Sequence, residues 1–173
     1  GEVFVAYNRR YYKTVNELKK IANKLSGGTI LVNIPDSTLG IKQFLSNGCH
    51  IIDTLRYVIG DFKIVKSLIK KNEFDILSIS SICMNNKWNI LLNAHSLIPS
   101  NFSISINSEE KVYELRPIER FSKYDGMDII EPSLDDPIRK YVPSLNKTFL
   151  EPCEYKPGFD EMYRSFKEFI LGD

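Results

Sequence analysis

Five short β-rich segments in close succession constrain this chain more than any other feature. They are Phe62–Ile69, Ile76–Met84, Trp88–His95, Phe102–Asn107 and Lys111–Arg116, with Asn85-Asn86 and Ser108-Glu109 placed as hairpin turns. Parallel neighbours need a crossover of a dozen or more residues, so strands joined this closely are expected to run antiparallel, as a meander. Helical patterns precede them. Helices followed by a run of strands predict an α+β fold rather than alternating β-α-β units.

The preceding segments carry their own punctuation. Val3 to Tyr7 is a continuous apolar and aromatic run, which predicts a buried strand. Thr14 and Glu17 form a T-x-x-E capping-box pattern, and Leu18, Ile21, Ala22 and Leu25 follow at helical spacing until Gly27-Gly28. Thr29 to Ile34 reads as a strand closed by Pro35-Asp36-Ser37. A second helix is expected from about Ser46 to Ile59, ending at Gly60. At 100° per residue, Ile51, Ile52, Leu55, Val58 and Ile59 share one side. Ser46, His50, Asp53, Thr54 and Tyr57 share the other, a polar stripe made of a histidine, an acid and a tyrosine instead of lysine and glutamate.

Two further features point outward. One face of the strands carries Ser78, Ser80, Asn89, Leu91, Asn93, His95, Ser103, Ser105 and Asn107, small and uncharged where a freely solvated face usually recruits lysine and glutamate. Such a face fits either an oligomer interface or a simple exposed Ser/Asn surface. Phe121 to Pro157 is broken by Pro132, Pro137, Pro143 and Pro152 and is expected to be irregular. A last helix begins near Phe159 and ends at Gly172, with an aromatic stripe of Phe159, Met162, Tyr163, Phe166 and Phe169 that needs a partner, in this domain or in a neighbour.

Composition narrows the class of function. The chain has 173 residues, the size of one domain, with 43% hydrophobic residues and a net charge of +1 from 23 basic and 22 acidic side chains. So even a balance leaves no footprint for a nucleic-acid backbone. No apolar run approaches the roughly 20 residues of a membrane-spanning helix, so no membrane partner is expected. Cys49, Cys83 and Cys153 are three, widely spaced and without a C-x-x-C pair, which suits free thiols in a reducing, cytoplasmic compartment. No metal site is expected, because Cys49-His50 with Cys153 matches no zinc spacing. The opening GEVFVAYNRR is neither a signal peptide nor an initiator-methionine start, so the chain is expected to be a piece of a longer protein.

Asn47-Gly48-Cys49-His50-Ile51-Ile52-Asp53, running on to Gly60, resembles the helix signature G-x-H-x-x-D-x-x-x-x-x-x-G of the Gfo/Idh/MocA oxidoreductases. The opening Val5-Ala6-Tyr7-Asn8-Arg9-Arg10 resembles the entry to that family's second domain, and Tyr155-Lys156-Pro157-Gly158-Phe159 resembles its C-terminal end. The resemblance implies an antiparallel sheet with helices on one face and the other face available for oligomer contacts, as a homodimer or homotetramer. It implies that residues 1–173 are a single C-terminal substrate-binding and oligomerisation domain. An N-terminal Rossmann domain would carry NAD or NADP and a catalytic lysine, since this sequence has neither G-x-G-x-x-G nor Glu-Lys-Pro.

The resemblance also implies the site. His50 is the candidate catalytic residue, an imidazole near neutral pKa able to take a proton from a sugar-like substrate's hydroxyl. Asn8, Arg9, Ser46, Asn47 and Asp53 are candidate substrate-binding residues. Asp53 is open between touching substrate, orienting His50 and pairing with Arg56, while Arg10 reads as a fold residue. Many family members have an acid four residues before the histidine. Ser46 stands there in this chain, and a hydroxyl cannot raise the histidine's basicity as a carboxylate would. The alternative is therefore a non-catalytic dimerisation or ligand-binding module of the same fold.

Overall fold

The computed structural model describes residues 3–36, 47–152 and 156–172. It is an α+β fold, one eight-stranded, mostly antiparallel sheet with three helices among the described residues. In chain order these are α1 (Lys13–Lys24), β1 (Gly28–Asp36), α2 (Cys49–Ile59), β2 (Lys63–Lys71), β3 (Ile76–Met84), β4 (Trp88–Ser96), β5 (Ser103–Ser108), β6 (Lys111–Leu115), β7 (Arg120–Ile130), β8 (Lys140–Leu150) and α3 (Phe159–Leu171). The spatial order is β2-β3-β4-β1-β5-β6-β7-β8.

The expected meander is two meanders split by β1. Strands β2 to β4 and β5 to β8 pair antiparallel in sequence order. Between them lies β1, parallel to β4 (Ile30 beside Ile90) and antiparallel to β5 (Ile30 beside Ile106). The link from β4 to β5 therefore steps over one strand. Residues 97–102 can do this, since neighbouring strands lie about 4.8 Å apart. Ile30, Val32 and Ile34 of β1 are fully buried in the centre, with Ile90, Ile104 and Ile106 of its neighbours. Alternation puts these side chains on one face, where they join Val15 and Leu18 of α1 and Ile51, Leu55 and Val58 of α2 in one core.

Local chemistry fixes the turns. Glu109 and Glu110 both have positive φ (53° and 63°), the left-handed pair that a two-residue hairpin needs to match strand twist. At the β3–β4 turn the Asn85 Oδ1 accepts from the N–H groups of Lys87 (2.9 Å) and Trp88 (2.8 Å). Its Nδ2 donates to the Ile59 carbonyl (3.2 Å), tying this turn to the end of α2.

Three sequence expectations are corrected. Val3–Tyr7 is not a strand. It runs as coil with Val3 and Val5 exposed, and Phe4 packs on Phe166 and Phe169 of α3 (ring centroids 5.2 and 5.6 Å), so a helix rather than a sheet receives it. The Thr14–Glu17 capping box does not form, because α1 starts at Lys13 and Thr14 already lies inside the helix. The free N–H groups of Lys13 and Thr14 donate instead to the two carboxylate oxygens of Glu151 (3.0 Å each), and Thr14 Oγ1 donates to the Ile118 carbonyl (2.9 Å). Phe121–Pro157 is not irregular throughout either. Its residues 121–150 form most of the long β7–β8 hairpin, whose register shifts near Tyr124 and Met127, and 153–155 lie outside the described residues. Pro143 is tolerated there because β8 is an edge strand, where one N–H faces away from the ladder.

Candidate functional site

The site is built where a short 3-10 turn, Asn8–Tyr11, meets the polar stripe of α2. Asp53 is only 8% exposed, and a buried carboxylate needs a partner. Arg10 supplies it: its Nε donates to Oδ2 (2.8 Å) and its Nη2 to Oδ1. Both oxygens are thereby committed to the turn. The partner of Asp53 is thus Arg10, which reads in the sequence only as a fold residue, and not Arg56. Arg56 turns instead to Asp61 (Nε to Oδ1, 2.8 Å). The Asp53 carboxylate holds the Arg10 guanidinium's pKa above its ordinary value.

The Arg10 guanidinium lies between Tyr7 and Tyr57, 5.5 and 5.6 Å from their ring centroids. Tyr57 is itself fixed, its hydroxyl donating to Asn16 Oδ1 of α1 (2.9 Å) while the Lys19 ammonium sits 3.5 Å over its ring. These groups frame a cleft of about 670 Å3 lined by Tyr7, Arg10, Lys19, Cys49, Asp53 and Arg56 among others. The polar stripe of α2 anticipated Asp53 and Tyr57. Tyr7, Lys19 and Cys49 were missed, because the wall they form comes from three separate chain segments.

His50 stands in the first turn of α2, half-buried, its ring edge-on to Tyr7 (centroids 5.6 Å apart, planes at 87°). Tyr7 thus serves both the cleft wall and the histidine. The imidazole Nδ1 is buried and makes no hydrogen bond. Burial is the main influence lowering the His50 pKa below 6.5, the positive charge of Arg9 adds to it, Asp53 works in the opposite direction, and Lys156 lowers it further. The ring is consequently neutral at pH 7, with a nitrogen able to accept a proton.

The other candidates are spread around this centre. Asn8 is buried and its Nδ2 donates to the Pro157 carbonyl (3.2 Å), joining the turn to the start of α3. Arg9 lays its guanidinium over the Phe102 ring (5.0 Å), and its Nη1 is buried without a hydrogen-bond partner. Because Asn8–Tyr11 is a 3-10 turn and not a strand, simple alternation does not govern which way these side chains point. Asn47 is exposed just before α2, and Ser46 lies outside the described residues.

Two of the three helix starts are closed to a phosphate. The N–H groups that open α1 are taken by the Glu151 carboxylate, and the first turn of α3 carries Asp160 and Glu161, which repel phosphate. Among the described residues no three His, Cys, Asp or Glu side chains are grouped to hold a metal ion; Cys153 lies outside them. Among them, too, no helix is long and apolar enough to cross a membrane.

No protein-family model matches the sequence, and no curated protein is significantly similar to it. Solved structures share its fold. A Gfo/Idh/MocA family oxidoreductase from Vibrio cholerae is 13% identical, with a TM-score of 0.62 over 98% of this chain and 53% of its own. An aldose-aldose oxidoreductase from Caulobacter crescentus is 12% identical, with a TM-score of 0.70 over 99% of this chain and 54% of its own. A super-repressor mutant of Gal80p from Saccharomyces cerevisiae is 12% identical, with a TM-score of 0.71 over 99% of this chain and 52% of its own. The chain spans about half the length of these structures and has the fold of the C-terminal half of the Gfo/Idh/MocA oxidoreductases.

Proposed function

We propose that this chain is the substrate-binding and oligomerisation domain of a cytoplasmic NAD(P)-dependent oxidoreductase acting on a hydroxyl or carbonyl of a sugar, cyclitol or nucleotide-sugar. The observation that carries the reading is His50, a half-buried imidazole with its pKa lowered, packed edge-on to the Tyr7 ring that walls a polar cleft, in the fold of an oxidoreductase half. Hydride transfer between substrate and nicotinamide belongs to the cofactor, carried by an N-terminal Rossmann domain and not by these residues. This chain's part is to seat the substrate against the turn at Asn8–Tyr11 and α2. His50 takes the hydroxyl proton in oxidation and returns it in reduction. Tyr7 holds the imidazole plane, and the Arg10–Asp53 pair keeps the turn against the helix. The open sheet face, with Ser80, Asn93 and Leu91, makes the homodimer or homotetramer contact.

In the intact protein, a screen of sugars, cyclitols and nucleotide-sugars with both nicotinamide cofactors should find a turned-over substrate. His50→Ala should then lower kcat by about 100-fold or more with little change in KM, the scale of a lost general acid–base group. Normal turnover by His50→Ala would remove the catalytic role.

A second reading is favoured by one observation: the super-repressor mutant of Gal80p has this fold as closely as the aldose-aldose oxidoreductase does. The chain would then be a dimerisation or ligand-binding module, with Ser46 in place of the acid reflecting lost chemistry. Sugar binding without turnover by the intact protein would establish it.

A further inference from the structure

The cleft beside α2 holds more cationic donors than its acids can use. Among the described residues its charged lining is Arg10, Lys19, Arg56, Asp53 and Asp61. Both acids are committed. Asp53 takes Nε and Nη2 of Arg10, and Asp61 takes Nε and Nη2 of Arg56. A guanidinium has five N–H donors, so each arginine keeps its Nη1 pair without a partner among the described residues. Lys19 pairs with no acid among them. Its ammonium rests 3.5 Å from the centre of the Tyr57 ring, and a ring face attracts a cation without neutralising it.

The two helices hold these groups in place. Cys49, Ile52, Asp53 and Arg56 recur at helical spacing and so share one face of α2. Lys19 reaches the cleft from α1, one turn after Asn16. The Asn16 amide is itself fixed, its Nδ2 donating to the carbonyls of Arg10 and Tyr12 (3.0 Å each) while its Oδ1 accepts from Tyr57 (2.9 Å). The ring beneath the ammonium is therefore anchored before any ligand arrives, which lowers the ordering cost of binding. The Asp61 side chain is 82% exposed and that of Arg56 56%, so this pair is weak and Arg56 can turn to a stronger anion. At about 670 Å3 the cleft has the size of a small-molecule site, with room for a sugar ring as well as its charged group.

We propose that this cleft binds a phosphoryl group of the substrate through Lys19, Arg56 and the Nη1 of Arg10, so that the substrate is a phosphorylated sugar or a nucleotide-sugar. This rests on the reading above, in which the substrate lies against the turn and α2, and it names the class. A neutral sugar or cyclitol offers hydroxyls, which call for acceptors as much as donors. Here the acids are spent and the surplus is cationic. A phosphate monoester brings a charge of about −1.5 to −2 and three acceptor oxygens, matching three separate cationic groups. A carboxylate suits the fork of one arginine, and Asp53 already holds that of Arg10. Tyr7 stands between this cleft and His50, its ring 5.6 Å from the imidazole. The phosphoryl group is thus held apart from the reacting hydroxyl, as an anchor whose binding energy orients the rest of the molecule.

The test is calorimetric titration of the intact protein with glucose, galactose and mannose, each as the free sugar, the monophosphate, the uronate and the nucleotide diphosphate sugar. At least one phosphorylated member should bind about tenfold or more tightly than its free sugar. Lys19→Met keeps the side-chain stem on the Tyr57 ring and removes the charge. It should abolish most of that gain, and Lys19→Arg should retain it. Arg56→Gln, at an exposed side chain, should weaken binding in the same direction and serves as the test if Lys19→Met does not fold. Monophosphates binding as tightly as nucleotide-sugars assign a sugar phosphate, and nucleotide-sugars binding alone assign the diphosphate. Uronates matching the phosphorylated sugars, phosphorylated sugars binding no better than free ones, or a gain unmoved by these variants would each overturn the proposal. Lys19-dependent binding without turnover of any compound keeps the phosphoryl site and overturns the oxidoreductase reading. Turnover of a neutral sugar, equal in Lys19→Met, does the reverse.

Discussion

Arg10 holds Asp53 through two hydrogen bonds, Nε to Oδ2 at 2.8 Å and Nη2 to Oδ1, and so joins the turn that enters the domain to the helix that carries His50. The acid is buried and the guanidinium is nearly half exposed, 9% against 43% for the side chains. Solvent weakens the attraction at the arginine end, but removing the acid takes away both hydrogen bonds that hold the guanidinium between Tyr7 and Tyr57. Asp53→Ala should therefore cost about 1.5–3 kcal/mol, the range for a lost hydrogen bond to a charged group. Urea denaturation would measure it. A loss below the error of that measurement would mean the pair does not hold turn and helix together.

Glu151 caps a helix that lies 137 residues away in sequence. Its carboxylate takes two N–H groups that would otherwise be unsatisfied and sits at the positive end of the α1 dipole. Glu151→Gln keeps one oxygen and removes the charge, and Glu151→Ala removes both contacts. Stability should fall in that order, reaching about 1–2 kcal/mol for the alanine. Glu17→Ala, which touches no backbone N–H at the helix start, should cost less. A reversed ranking would restore the local capping box.

The histidine makes stability depend on pH. Burial and the Arg9 charge put its folded pKa below the value of 6.5 expected in the unfolded chain. Below pH 6.5 the unfolded chain therefore binds more protons than the folded one. His50 then contributes stability that is complete above 6.5 and lost as pH falls toward the folded pKa. Thermal midpoints measured from pH 7.5 to 5 should decline less steeply in His50→Gln than in the unchanged protein. Equal slopes would show that His50 titrates as it does in water.

Gly158 fixes where α3 meets the site. Its φ is +74°, and a Cβ there would stand 2.3 Å from the carbonyl oxygen of Asn8, a backbone atom with no room to move aside. Gly158→Ala combines a left-handed alanine with that clash and should cost at least about 2 kcal/mol. Because the clash pushes on the turn bearing Asn8 and Arg9, substrate affinity should fall along with stability. A variant as stable as the parent would mean α3 docks elsewhere.

Much of the fold is legible in the sequence because local rules agree there. Ile30, Val32 and Ile34 alternate as one face of a strand must, and Ile51, Leu55 and Val58 recur as one face of a helix must. The β3 boundaries, the turn at Asn85 and the α+β class follow from such patterns. The polar stripe of α2 likewise placed His50, Asp53 and Tyr57 on the side away from the core interior of the sheet. What failed was whatever depended on a distant residue. Thr14 looks like a cap for Glu17, but Glu151 reaches the helix start first. Val3–Tyr7 has the composition of a strand, but Phe4 meets α3. The prolines of 121–157 read as loop because both faces of the β7–β8 arm are bare and leave no alternation to detect.

The sequence by itself determined which segments are helix and which are strand in the packed centre, since burial imposes a period on side chains close together in the chain. Only the tertiary structure decided that β1 lies between β4 and β5, that Arg10 rather than Arg56 takes Asp53, and that Tyr7 stands between the cleft and His50. Each of these joins residues tens of positions apart. Their partnership is set by the order of strands in space and by how backbone and charge are satisfied there, which no local period records.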